Sequence, residues 1–242
     1  MDGNDIASPA LATETGTSIV LVHGAFVDAS GWQPVFELLT RQGHEVIVVQ
    51  NQTLTLEGDV EATQRAITTA RHPVVLVGHS YGGAVITEAG HSQKVKSLAY
   101  IAAFVPDAGE SVALLNDEPA KPGEAKAPVM PPRDGFLLVD PAAFPLAFAA
   151  DVAPEKTRFM AAAQVPWGLM AATTPVSRAP WKTKPSFYLV ATADRMVPPS
   201  AQRRMAYRAG ASVFEIDSSH AVMLSHPLET ANFIATAADV PS

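Results

Sequence analysis

The chain has 242 residues, with 17 basic against 24 acidic side chains, a net charge of −7 and no cysteine. At 48% hydrophobic and 17% charged residues it is far from a disordered composition, and it is long enough to bury most of its apolar surface in one domain. Lack of cysteine excludes disulfides, thiolate nucleophiles and thiolate-held metals. An acidic balance without a basic cluster argues against nucleic acid as a partner.

In chain order, residues 1–15 read as a flexible N-terminus without the basic and long apolar regions of a signal peptide. No apolar run approaches the roughly 20 residues that span a bilayer, so no membrane partner is expected and the expected location is the cytoplasm. Thr17–Val22 reads as a buried strand ending in a turn at His23-Gly24. Ser30–Arg41 reads as a helix, with Trp32, Val35, Phe36 and Leu39 at helical spacing and a stop at Gly43. Glu45–Val49 is a second strand, Glu57–Ala70 a second helix and Pro73–Val77 a third strand.

Gly78-His79-Ser80-Tyr81-Gly82 follows that strand and leads into a small-residue helical stretch from Ala84 to Ala89. Gly-x-Ser-x-Gly between strand and helix is the context of a nucleophile elbow, a strained turn whose glycines let backbone pass close by. Val95–Ala103 is a fourth strand, Phe187–Ala191 a fifth and Val213–Ile216 a sixth. Pro199–Arg208 and about Ala221–Ala235 read as helices. Continuous apolar strands alternating with helices predict a parallel sheet covered on both faces, with ligands at the strand C-terminal edge.

The stretch Pro106–Pro185 breaks the rhythm. It is rich in proline and shows no strand signal, which is too long for a plain connection. Its aromatics, Phe136, Phe144, Phe148, Phe159, Trp167 and Trp181, argue for a folded piece with something to cover. The reading is a core of 16–105 and 186–242 with a helical cap, 106–185, inserted after the fourth strand. Within the cap, 116–133 is the part expected to move most. The apolar residues around Trp167 allow a homodimer without requiring one.

Serine needs a base and an orienting acid. His79 adjoins Ser80, and its side chain must point away across the turn, so it reads as a support for the elbow. His220 lies in a polar turn between the last strand and the last helix, at the elbow's edge of the sheet, and is the expected base. Asp194 closes the fifth strand and is the expected acid. Asp107, just past the fourth strand, is its rival and also reads as a plain turn residue. The oxyanion donors are expected from the amides of Tyr81 and Ala25, and Gly24 is expected to keep the approach clear. Phe26, Phe104, Trp167 and Met223, with the Tyr81 side chain, are the expected substrate contacts. Equally, these side chains fit core packing.

The runs Val20–Ala25, Gly78–Gly82 and Ala102–Asp107, with the late Asp194 and His220, resemble the small α/β-hydrolases. The order Ser80, Asp194, His220 is that family's order. The likeness is nearest to the group of plant hydroxynitrile lyases, methyl-salicylate-type esterases and their bacterial esterase cousins. It implies a six-stranded parallel sheet and a serine–histidine–aspartate site working without metal or cofactor. Hydroxynitrile lyases of the group carry lysine directly after the catalytic histidine and threonine after the first-strand histidine. This chain has Ala221 and Gly24 there, and Lys182 reads as solvated. The expected activity is therefore hydrolysis of a small to medium uncharged ester or lactone. Lyase, carbon–carbon hydrolase and perhydrolase chemistry, and a small-molecule receptor using the same pocket, are the alternatives.

Overall fold

In chain order the strands are β1 (Ser18–Val22), β2 (Glu45–Val49), β3 (Val74–His79), β4 (Val95–Ile101), β5 (Phe136–Leu137), β6 (Trp167–Gly168), β7 (Ser186–Ala191) and β8 (Ser212–Ile216). Ile19 and Leu21 of β1 pack into one cluster and Val20 and Val22 into another, and all four are fully buried. Strands apolar on both sides need helices on both faces. The computed structural model describes residues 16–240. Among them, six strands form one parallel sheet in the order β2-β1-β3-β4-β7-β8. The expected flexible segment, 1–15, lies outside the described residues.

One face is covered by α1 (Gln33–Arg41), α9 (Val222–Ser225) and α10 (Pro227–Ala238), through Val35, Leu39, Val222, Phe233 and Ile234. The other is covered by α2 (Leu56–Thr69), α3 (Gly82–Ala89) and α8 (Pro199–Arg208), through Val60, Ile67, Val85 and Met205. The expected last helix, Ala221–Ala235, is in fact two. Pro227 has no N–H to donate, and His226 before it leaves the helical region at φ −131°, ψ 59°.

Pairing brings the strand ends level. Val22 sits opposite Gly78, His79 opposite Ile101, Ile101 opposite Leu189, and Ala191 opposite Ile216. The loops that leave β1, β3, β7 and β8 at this edge carry His23, Ser80, Asp194 and His220. Among the described residues no helix is long and apolar enough to cross a membrane.

Between β4 and β7 the chain forms α4 (Val112–Asp117), α5 (Phe144–Phe148), α6 (Pro154–Ala162) and α7 (Leu169–Thr173). The expectation of no strand here fails: β5 and β6 pair antiparallel, Phe136 with Gly168 and Leu137 with Trp167. Two residues per strand are too few for an alternating pattern to show in sequence. The segment expected to move most is tied to α8, where Glu124 accepts from the Ser200 amide at 2.9 Å and Glu118 pairs with Arg204.

Candidate active site

Ser80 has φ +54°, a left-handed conformation uncommon for a residue with a side chain. Its amide donates to Ile101 O at 3.2 Å, and its carbonyl accepts from Phe104 at 3.1 Å and Gly83 at 2.9 Å. The turn is thus held from β4 and from the start of α3. A Cβ on Gly78 would lie 2.5 Å from Gly82 O, and one on Gly24 would lie 2.7 Å from Ser80 Cβ. The first glycine lets the elbow close on itself; the second lets the β1 loop pass beside the serine.

His220 and Asp194 are brought together: Nδ1 lies 2.7 Å from Oδ2, with both side chains fully buried. The carboxylate is an acceptor, so Nδ1 carries the proton and Nε2 presents its lone pair. That Nε2 is buried and has no partner among the described residues. Asp194 is fixed in turn by the amides of Met196 at 2.7 Å and Val197 at 3.0 Å, and by Gln202 Nε2 at 2.8 Å.

The loop carrying His220 has further anchors with no sequence signal. His79 Nε2 donates to His220 O at 2.9 Å, so the histidine expected to support the elbow supports the His220 loop. Burial pushes the His79 imidazole well below its ordinary pKa, keeping it neutral. Ala221 donates to Phe148 O at 3.0 Å and Ser219 to Asp151 at 2.9 Å, both acceptors lying between β4 and β7. Asp151 is an ordinary loop acid in sequence; only the fold shows what it holds.

Ser80, Ala25 and Tyr81 line one cavity of about 240 Å³, together with Phe26, Phe104 and Trp167. Its other walls are mostly apolar, with Asn116 and Asp117 among the lining. Among the described residues neither the Ala25 nor the Tyr81 amide has an acceptor. Trp167 packs against Phe26 with ring centroids 5.6 Å apart and against Tyr81 at 5.3 Å. Met223 lies elsewhere, in a cavity of about 150 Å³ that shares Phe26 but contains His79, Trp32 and Phe159 instead of Ser80. The Tyr81 hydroxyl donates to Asp59 Oδ2 at 2.7 Å. Sequence reading passed over Asp59, because an acid in a helix's first turn looks like a partner for the helix dipole.

His23 is fixed by its neighbours. The Asn51 amide can only donate, so His23 Nε2 accepts at 3.0 Å and Nδ1–H faces Gly24 O at 2.9 Å. Burial lowers its pKa. Asp107, the rival acid, pairs at 2.5 Å with Lys182 and accepts from the Ala108 amide. Lys182, expected to be solvated, is therefore paired, and it also lies 5.2 Å above the Trp181 ring. Among the described residues no group of three or more His, Cys, Asp or Glu side chains is placed to hold a metal ion.

A strand–elbow–helix serine, with acid and histidine on the loops after β7 and β8, defines a class of protein. The model of the alpha/beta hydrolase family matches residues 19–233, and the chain belongs to that family. It is 30% identical to the alpha/beta hydrolase nvfD of Aspergillus novofumigatus (strain IBT 16806), over 91% of this chain and 96% of that protein. A pyrethroid hydrolase from Sphingobium faniae JZ-2 superimposes with a TM-score of 0.79 at 23% identity, covering 93% of this chain and 98% of that one. The methylesterase MES16 from Arabidopsis does so with a TM-score of 0.74 at 20% identity, covering 92% and 98%. These structural likenesses show the shared fold.

Proposed function

We propose that the protein is a serine hydrolase cleaving small to medium uncharged carboxylic esters or lactones, with segment 106–185 as a cap. The observation that carries this is the fully buried 2.7 Å contact between His220 Nδ1 and Asp194 Oδ2, at the sheet edge where the loop after β3 holds Ser80 at positive φ. His220 Nε2 takes the Ser80 proton as Oγ bonds to the carbonyl carbon. The amides of Ala25 and Tyr81 receive the oxyanion. The alkoxy C–O bond then breaks and the histidine's proton leaves with the alcohol. Water, deprotonated by the same histidine, releases the acid from Ser80.

Apolar walls around Ser80 favour an uncharged substrate. The relatives' names, pyrethroid hydrolase and methylesterase, point to esters. Cyanohydrin cleavage is disfavoured, since Ala221 offers no charge and Lys182 is held by Asp107. The test is turnover of p-nitrophenyl esters from acetate to dodecanoate, with Ser80→Ala in parallel. Chain-length-dependent turnover lost in the variant is the expected result. Turnover that survives in Ser80→Ala, or none in the wild type, sinks the esterase reading.

A further inference from the structure

Asp59 lies in the first turn of α2, yet it is only 1% exposed. One oxygen accepts from the Tyr81 hydroxyl at 2.7 Å and the other from the Thr53 amide at 2.9 Å. A backbone N–H cannot accept, so the arrangement uses the carboxylate as an acceptor on both sides. Burial raises the Asp59 carboxyl from its ordinary value and pushes the Tyr81 phenol well above its own, so the phenol keeps its proton near neutral pH and donates it to the carboxylate.

What this pair does follows from what each partner holds. Tyr81 follows the nucleophile, caps α3 and has a free amide beside Ser80 in the cavity wall. Ser80 itself sits at positive φ, a conformation that persists only where the surroundings over-determine it. Fixing the far end of the Tyr81 side chain is one such restraint. Thr53, also at positive φ (+58°), accepts from the Gly168 amide at 2.8 Å, while its hydroxyl donates to Gln52 O at 2.7 Å. It thereby holds β6, whose Trp167 lies against Tyr81 and lines the cavity. A single carboxylate joins the elbow to the wall that faces it. An apolar pair of similar volume would fill this space without the cost of burying a charge, so bulk packing alone does not explain the acid.

We propose that Asp59 is a positioning residue for acyl transfer: through Tyr81 it sets the amide that receives the oxyanion, and through Thr53 it sets the cavity wall. This rests on the serine-hydrolase reading above. Displacement of a reacting group by about 1 Å costs on the order of 10²-fold, so Tyr81→Phe, which strands the carboxylate, is expected to lower kcat roughly 30- to 100-fold. KM and the affinity for intact ester in a Ser80→Ala background stay within about threefold, because the oxyanion exists only after attack.

Asp59→Asn keeps an oxygen for Thr53 and turns an NH₂ toward a phenol oxygen that can accept, so its loss is smaller, about three- to tenfold. The double variant is no worse than Tyr81→Phe, because the uncompensated buried charge is gone. All three are measured on the full chain by steady-state kinetics, by inhibition with a trifluoromethyl ketone and by the rate of Ser80 labelling with a fluorophosphonate. Ketone affinity and labelling rate are expected to fall with kcat.

Labelling needs nucleophile and oxyanion hole but no particular ester, which separates the two readings. A wild type that labels yet cleaves no ester sinks the esterase assignment alone, and the labelling ratios still decide for or against Asp59. Variants that label at the wild-type rate, or lose only KM, or lose activity multiplicatively in the double, overturn the role of Asp59. Should Tyr81→Phe fail to fold, Asp59→Asn carries the test: wild-type labelling and ketone affinity in it refute the proposal.

Discussion

Asp194 and Asp59 are equally buried, at 3% and 1% exposure, yet they face partners of different chemistry. Asp194 accepts from two backbone amides, from Gln202 and from an imidazole. Three of those donors keep their protons throughout; the imidazole can gain one, and the carboxylate is then opposite a full positive charge. Asp59 accepts from a phenol and a backbone amide, neither of which can become a cation. In the proposed mechanism the same functional group therefore answers a charge that appears during reaction in one place and fixes geometry in the other. On that reading the role of a buried acid is decided by whether its partner can become a cation.

The sharpest way to press this contrast is to make the same change at both acids. Asp194→Asn keeps the oxygen for Met196 and Val197 but presents an NH₂ toward His220 Nδ1. The ring then turns to the tautomer with Nε2 protonated, which cannot take the Ser80 proton. A loss of about 10⁴ in kcat is expected, far beyond that of Asp59→Asn. Steady-state turnover of p-nitrophenyl butyrate by the two variants gives the comparison. Losses of similar size at both sites would mean that geometry, and not the charge on histidine, limits the reaction.

The unequal visibility of the two acids in sequence has the same origin. Strands β1, β3, β4 and β7 are apolar at successive positions, and the elbow glycines sit where backbone must pass, so fold and nucleophile are written in local patterns. Asp194 is legible because it follows a strand closely and precedes the loop that carries His220. Asp59 has no such frame: it stands among polar residues in a helix's first turn, and its burial depends on Tyr81 and Thr53 arriving from elsewhere. Asp151 and Gln202 are hidden for the same reason. Between β4 and β7 the elements are short, β5 and β6 above all, and their shape comes from contacts with the core. Met223 lines a different cavity from Ser80, since which cavity a side chain after His220 enters depends on where α5 and α6 lie.

His79 sharpens the contrast from the side of the base. It touches the His220 ring at 4.6 Å but faces a carbonyl, not an acid, so burial is left to lower its pKa. Its folded pKa lies below the unfolded value of 6.5, so the unfolded chain binds the extra proton and stability is lost as pH falls through 6.5. His23, lowered by burial as well, acts with the same sign. Each therefore contributes a loss of stability as pH falls below 6.5. His79→Gln retains a donor for His220 O and removes one such contribution. Urea unfolding at pH 7.5, 6.5 and 5.5 is expected to show a shallower acid decline in the variant. An unchanged decline would mean that His79 is protonated in the folded protein, in which case His220 is not the only imidazole there that takes a proton.

Asp107 supplies the mildest test, an acid at the same sheet edge but only partly buried. Its pair with Lys182 is formed by side chains that keep 30% and 52% of their surface exposed, and such pairs contribute about 0–1 kcal/mol. The Lys182 ammonium, first among the causes, holds the Asp107 carboxyl below the usual carboxylate range, so the pair is intact at neutral pH. Asp107→Asn is expected to shift the urea midpoint by no more than that amount and to leave kcat within twofold. Both carboxylates follow a strand of the same sheet, and position alone does not separate them. What separates them is that Asp194 is buried against an imidazole and Asp107 is only partly buried, against an ammonium. A fall in kcat approaching that of Asp194→Asn would transfer the orienting role to Asp107, and burial would lose its standing as the criterion that tells one acid from the other.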